Sequence, residues 1–190
     1  MPLVESAPCS LRFHDEGGRG VDDQFGFSFD EPPRPVRVPL HRARRPHRSG
    51  RVDHFYTTQG GELDDVVRRQ GYAYEGVACL VYDGQAPGAV PLFRLWHAPS
   101  LQHSFTVVPA NLREALRRPG HRNDGHACFV YATTHHPGTI PFFALRHRPT
   151  NDHLYTVDPA EGDAALAAGY EWLGVACWVF PPDGSEDEGA

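Results

Sequence analysis

Asp53-His54-Phe55-Tyr56-Thr57 recurs as Gln102-His103-Ser104-Phe105-Thr106, and again as Asp152-His153-Leu154-Tyr155-Thr156. Around each copy the same landmarks return in the same order. Upstream stand Val38-Pro39-Leu40, Val90-Pro91-Leu92 and Ile140-Pro141-Phe142. Downstream come Gly71, Gly120 and Gly169, then Gly76, Gly125 and Gly174, then Ala78-Cys79, Ala127-Cys128 and Ala176-Cys177. Each of these three series steps by 49 residues. Four landmarks do not align three times by chance. The chain holds a threefold internal repeat of about fifty residues, with repeats at 38–89, 90–139 and 140–182.

Each repeat reads alike. Val90 to Trp96 is a short apolar strand with Pro near its start, where a missing donor is tolerated. The His-x-aromatic-Thr segment alternates as a second strand. Glu62 to Gln70, Ala110 to Arg118 and Ala160 to Ala168 are expected as helices of two or three turns. Pro109 and Pro159 suit a first helical turn, and the glycines that follow suit a C-terminal cap. Tyr72 to Tyr82, His121 to Tyr131 and Tyr170 to Phe180 read as one long strand or two short ones, broken at the glycine. Pro-Gly turns at 87–88 and 137–138 lead to the next repeat.

Four short strands per unit and three units point to an all-β fold. The expected architecture is a β-trefoil, six strands closed into a barrel and capped by three hairpins, with a short helix inserted in each repeat. The alternatives are a three-bladed propeller-like array or an open repeat stack; three blades are few for a propeller.

Composition sets the outer bounds. The 190 residues are 40% hydrophobic and 11% aromatic, enough for one substantial core and against wholesale disorder. All 18 basic residues are Arg, so chemistry that needs a Lys is excluded. No run of about 18 apolar residues exists to span a membrane. Residues 1–20 carry His14, Asp15 and Glu16 instead of an apolar stretch, so no export signal is read there and the compartment stays open. A net charge of −6 argues against general nucleic-acid binding. Residues 1–37 form an N-terminal arm outside the repeats, in which Gln24 to Phe29 alternates like an edge strand that docks or stays disordered. Residues 183–190 form an acidic, disordered tail. A monomer without cofactor is expected.

The Val-Pro-Leu-x-Arg opening, Asp-His-x-Tyr-Thr, the helix, Gly-Tyr and x-Tyr-Glu-Gly-Val-Ala together resemble a known repeat family. It is a domain of unknown function found in bacterial and fungal proteins, often beside secreted hydrolases and peptidases. The resemblance covers about three quarters of the chain and implies a trefoil-like module that binds carbohydrate or a surface, with no established catalytic residues. Repeat two departs from the pattern: Gln102 replaces the Asp, Ser104-Phe105 the aromatic pair, and Arg122-Asn123-Asp124 stands where repeat one has Ala73-Tyr74-Glu75.

Candidate chemistry follows from the repeated positions. Cys79, Cys128 and Cys177 sit among apolar neighbours and read as small core residues, not as a disulfide framework or a metal site; Cys9, in the arm, reads as free. His54, His103 and His153 either hydrogen-bond a turn or converge on the threefold axis as a metal site. Tyr56, Phe105 and Tyr155 are expected in the core. Sugar binding needs an exposed ring for the apolar face of the sugar and a polar group to orient it. Repeats one and three supply Asp53, His54, Tyr74 and Glu75, then Asp152, His153, Glu171 and Trp172. Tyr74 and Trp172 are expected at the surface because repeat two carries Asn123 there, and Asn seldom fills a core.

A basic stretch from Arg34 to Arg51, seven Arg and no acid, is read as a loop that holds an anionic ligand or protein partner, or that the acidic arm and tail neutralise. No serine-hydrolase elbow, zinc-protease motif, dinucleotide fingerprint or phosphate loop is present. The expectation is a non-enzymatic module binding glycan or cell-surface polymer through repeats one and three. The alternatives are a protein-interaction scaffold using Arg42 to Arg51, or a metal-dependent enzyme using the three histidines.

Overall fold

The computed structural model describes residues 34–46, 52–132 and 136–185. Among them run nine strands and three helices in a thrice-repeated order. Repeat one holds β1 (Arg37–Pro46), β2 (Val52–Thr57), α1 (Gly60–Arg69) and β3 (Ala73–Tyr82). Repeat two holds β4 (Val90–His97), β5 (Gln102–Thr106), α2 (Pro109–Leu116) and β6 (His121–Val130). Repeat three holds β7 (Ile140–His147), β8 (Asp152–Thr156), α3 (Pro159–Ala167) and β9 (Glu171–Val179). The class is all-β with three short helices, none long and apolar enough to cross a membrane. Residues 1–33, with Cys9 and the Gln24 to Phe29 alternation, lie outside the described residues, as do Arg48, Arg51 and residues 186–190.

Each repeat is an antiparallel sheet with its first strand in the middle, as when Ala43 faces Phe55 on one side and Tyr74 on the other. This explains the prolines. The second strand begins pairing only at His41, Phe93 and Phe143, so Pro39, Pro91 and Pro141 each have a free edge where a donor is missing. A threonine then turns the chain into each helix: Thr57, Thr106 and Thr156 accept from the backbone N–H of Gln59, Val108 and Asp158 at 3.0, 3.1 and 3.0 Å. Pro109 and Pro159 open α2 and α3.

The third strand departs from the trefoil expectation. Gly76, Gly125 and Gly174 take φ of +117°, +88° and +107°, and the register beside them shifts. The glycine makes a bulge and the strand runs on through it, so each repeat has three strands where four were expected. Among the described residues the sheets do not close into a six-stranded barrel. Instead the third strands meet in pairs through single bridges, Tyr82 with Phe129, Leu80 with Phe180, and Tyr131 with Trp178.

Equivalent positions fill the centre. Leu40, Leu92 and Phe142 come from the first strands, Tyr56 and Tyr155 from the second, and Cys79, Cys128, Cys177, Val81, Val130 and Val179 from the third. Burying each large apolar side chain contributes about 1.5–3 kcal/mol. The three thiols are free and buried in this cluster, as expected; burial pushes Cys128 up to about 12. Two tyrosines join the repeats. The Tyr56 hydroxyl donates to Tyr155 O and accepts from Tyr155 N, both at 2.8 Å, and the Tyr155 hydroxyl accepts from Phe105 N at 2.8 Å. Phe105, the repeat-two equivalent, has no hydroxyl to continue the series.

Candidate functional site

The acid–histidine positions lie inside the molecule. Asp152 is fully buried; it accepts from the His54 backbone N–H at 3.0 Å, from His54 Nδ1 at 2.7 Å, and from the Tyr170 hydroxyl. Burial alone would raise its pKa, but these hydrogen bonds outweigh burial and hold it below the ordinary value. Asp53, equally buried, takes the Tyr72 hydroxyl and lies 3.6 Å from Arg45. There burial wins, aided by the charge of Asp152, and lifts Asp53 to about 6. The expectation of turn-capping within one repeat is thus corrected: Asp152 of repeat three holds His54 of repeat one. Asp53, His54 and Asp152 are closed off from solvent and offer no face to a sugar. His153 is half-buried, and burial together with Arg146 lowers its pKa to about 4. Among the described residues no group of three or more His, Cys, Asp or Glu side chains could hold a metal ion.

The other four candidates lie outward. Tyr74 is 48% exposed and Trp172 43%. Each ring rests on one from the first strand of its sheet: Tyr74 lies 5.7 Å from His41, with its hydroxyl 2.9 Å from Nδ1, and Trp172 lies 4.9 Å from Phe143. Gly162 of α3 makes room for the indole, since a Cβ there would stand 3.0 Å from it. Glu75 and Glu171 border these rings and carry ion pairs, Glu75 to Arg42 at 2.9 Å and Arg44 at 3.4 Å, Glu171 to Arg148. In repeat two, Asn123 instead accepts from the Gly125 backbone N–H at 3.0 Å.

The arginine stretch is corrected as well. Arg42, Arg44 and Arg45 belong to strand β1, not to a loop, and all three are engaged by carboxylates of the repeats. Arg42 forms a two-pronged pair with Glu161 of α3, at 2.9 and 2.7 Å. Arg94 of β4 does the same with Glu62 of α1, at 3.0 and 2.8 Å. Burial would raise both carboxyls, but the guanidinium forks outweigh it and lower them.

These pairs sit in clefts between repeats that the sequence reading missed. The cleft between repeats three and one has a volume of about 190 Å³ and holds Arg42, Glu161 and Glu75. The cleft between repeats one and two, about 520 Å³, holds Arg94, Glu62 and Asp124 with Trp96 and Phe55 on its walls. The cleft between repeats two and three, about 400 Å³, has Ala144 at the Arg position, Asn111 at the helix Glu, and Leu173 at the strand acid. Ala144 faces Tyr155 as Arg42 faces Tyr56 and Arg94 faces Phe105, so the equivalence is one of register. With the charges gone, Leu173 and Val175 stand 52% and 47% exposed. The triplets Arg42/Arg94/Ala144 and Glu62/Asn111/Glu161 are the sequence signal that marks these clefts.

Searches of curated proteins and of solved structures return no match. A family model, by contrast, matches residues 26–180, a span that takes in nearly all of the three repeats. The chain belongs to the family described as a domain of unknown function (DUF5648).

Proposed function

We propose that this chain is a non-enzymatic binding module for glycan or cell-surface polymer, engaged through repeats one and three. One observation carries the reading. At the same strand position these two repeats expose a large ring, Tyr74 or Trp172, backed by a second ring and bordered by a carboxylate–guanidinium pair. An exposed ring covers the C–H face of a sugar, and the paired polar groups bond its hydroxyls. Exposed aromatic surface otherwise costs solubility, so support from beneath favours a ring kept rigid for contact. Asn123 gives repeat two no such face.

The test is a screen of the purified protein on plant, fungal and bacterial glycans, followed by titration of any hit with Trp172→Ala, Tyr74→Ala and the double variant. Each single change is expected to weaken binding by tenfold or more, with the fold intact by circular dichroism. Binding by the double variant at wild-type strength would overturn the reading.

A further inference from the structure

Where repeats two and three meet, a small cavity of about 160 Å³ opens beside the second strands. Its walls carry Arg118 and Arg146 and four imidazoles, those of His97, His103, His121 and His153. Gln102, Ser104 and Asn151 complete them, and no carboxylate of the described residues lines the cavity. We propose that this cavity binds a tetrahedral oxyanion, sulfate or phosphate, either free or as the ester group of a larger ligand.

In repeats one and three, Asp53 and Asp152 are each capped by a tyrosine, Tyr72 and Tyr170. The same two positions in repeat two are Gln102 and His121. One buried negative charge is thereby deleted and an imidazole added. The Nδ1 atoms of His103, His121 and His153 are buried without a partner among the described residues, and Gln102 spends its amide N–H on Val52 O at 3.1 Å. Unpartnered buried polar groups are costly, so three imidazole nitrogens around one cavity call for something to satisfy them. The space is roughly ten times what one water needs.

Charge favours an anion over a neutral guest. The carboxylates around it are engaged: Asp152 by His54 and Tyr170, Glu171, opposite Arg146 in the register, by Arg148, and Asp124 by Arg122 at 2.6 Å, with its other oxygen 3.6 Å from His103 Nε2. Arg146 lines the cavity and spends only Nε on Asn151 Oδ1, at 3.0 Å. Asn151 is itself fixed, donating to Ser100 Oγ at 3.0 Å. Arg118, paired among the described residues with the exposed Glu114 at 3.2 Å, lines the same cavity. Guanidinium forks and imidazolium N–H groups are the donors that suit a sulfate or phosphate oxygen.

Acidity follows. His103 and His153 are pushed down to about 4, first by burial and then by Arg94 and Arg146 respectively. His103 also faces Asp124, Glu62 and Arg122, and His153 faces Asp152 and Glu171. A bound dianion raises an imidazole pKa, so binding takes up protons and tightens as pH falls.

The experiment is calorimetric titration of the whole chain with sodium sulfate at low ionic strength, at pH 7.5 and 5.5, with chloride as control. Sulfate remains a dianion at both values, so any pH effect belongs to the protein. Sulfate is expected to bind in preference to chloride and severalfold more tightly at pH 5.5. Arg146→Gln is expected to weaken it by tenfold or more. Gln102→Asp, which restores the acid that repeats one and three carry without harm, is expected to abolish it. Sulfate no better than chloride would overturn the proposal, as would unchanged affinity in both variants, the mark of an adventitious ion only. A sugar 6-sulfate is the second probe: tighter binding than sulfate assigns the anion to a larger ligand, equal binding to the free ion, and either upholds the site. The aromatic faces at Tyr74 and Trp172 play no part in this titration, so its outcome is independent of theirs.

Discussion

The contact between repeats three and one and the contact between repeats two and three use the same strand positions and differ in what fills them. In the first, Arg42, Glu161 and Glu75 lock helix α3 to strand β1, and Asp152 holds His54. In the second, Ala144, Asn111 and Leu173 leave the groove without an ion pair, while Gln102, His121 and two arginines make a cationic cavity. A pseudo-threefold backbone therefore does not impose threefold chemistry. Two joints carry guanidinium–carboxylate locks; the third lacks one and keeps exposed apolar surface and imidazole nitrogens without partners among the described residues, which is the condition for binding something else.

The largest expected effect breaks the first contact. Asp152→Ala leaves the buried His54 and the half-buried Tyr170 without their acceptor and is expected to cost about 3–4 kcal/mol, whereas Gln102→Ala at the matching position is expected to cost about 1 kcal/mol. Urea denaturation of both variants checks the ranking; equal losses would mean that the two contacts are alike after all. Next comes Arg42→Ala, expected to cost about 2 kcal/mol because Glu161 is a third exposed and water screens the pair. Its effect should exceed that of Arg146→Ala in the same assay.

Acid sharpens the contrast further. Below about 6.5 an unfolded His takes up a proton that His103 and His153 refuse until about 4. Asp53 works the other way, since its folded pKa of about 6 lets the native state hold a proton that the unfolded chain lacks. Two protons against one leave the unfolded state richer by about one between pH 6 and 4, so stability falls as pH drops, by about 1 kcal/mol after allowing for water access. Asp53→Asn removes the offset, and the slope in denaturation midpoint should steepen. The smallest effect comes from making the third joint like the others. Ala144→Arg with Asn111→Glu is expected to gain under about 1 kcal/mol, with the single changes gaining nothing, as a double-mutant cycle would read.

Much of this was legible one repeat at a time. The three units, the helices, the buried thiols and the exposed Tyr74 and Trp172 follow from periodicity and from the Asn123 contrast. What escaped were the partnerships between repeats. Asp152 reaches His54 across 98 residues and Glu161 reaches Arg42 across 119, and no local rule links such positions until the topology is known. The strand count failed at the glycines for a similar reason. Gly76 with a positive φ reads equally as a turn or a bulge, and only the neighbouring strand β1, pairing on both sides of it, keeps the segment extended.

The bridge between Leu80 and Phe180 bears on how the chain folds. Each sheet assembles from contacts within about fifty residues, but Leu80 and Phe180 exchange two backbone hydrogen bonds of 2.9 Å across a hundred. An open stack of repeats can fray from its ends and unfold in stages. Here the last repeat closes upon the first, so no repeat is terminal and none can melt without exposing the core of the other two. Slow closure followed by a single cooperative transition is the kinetic signature to expect.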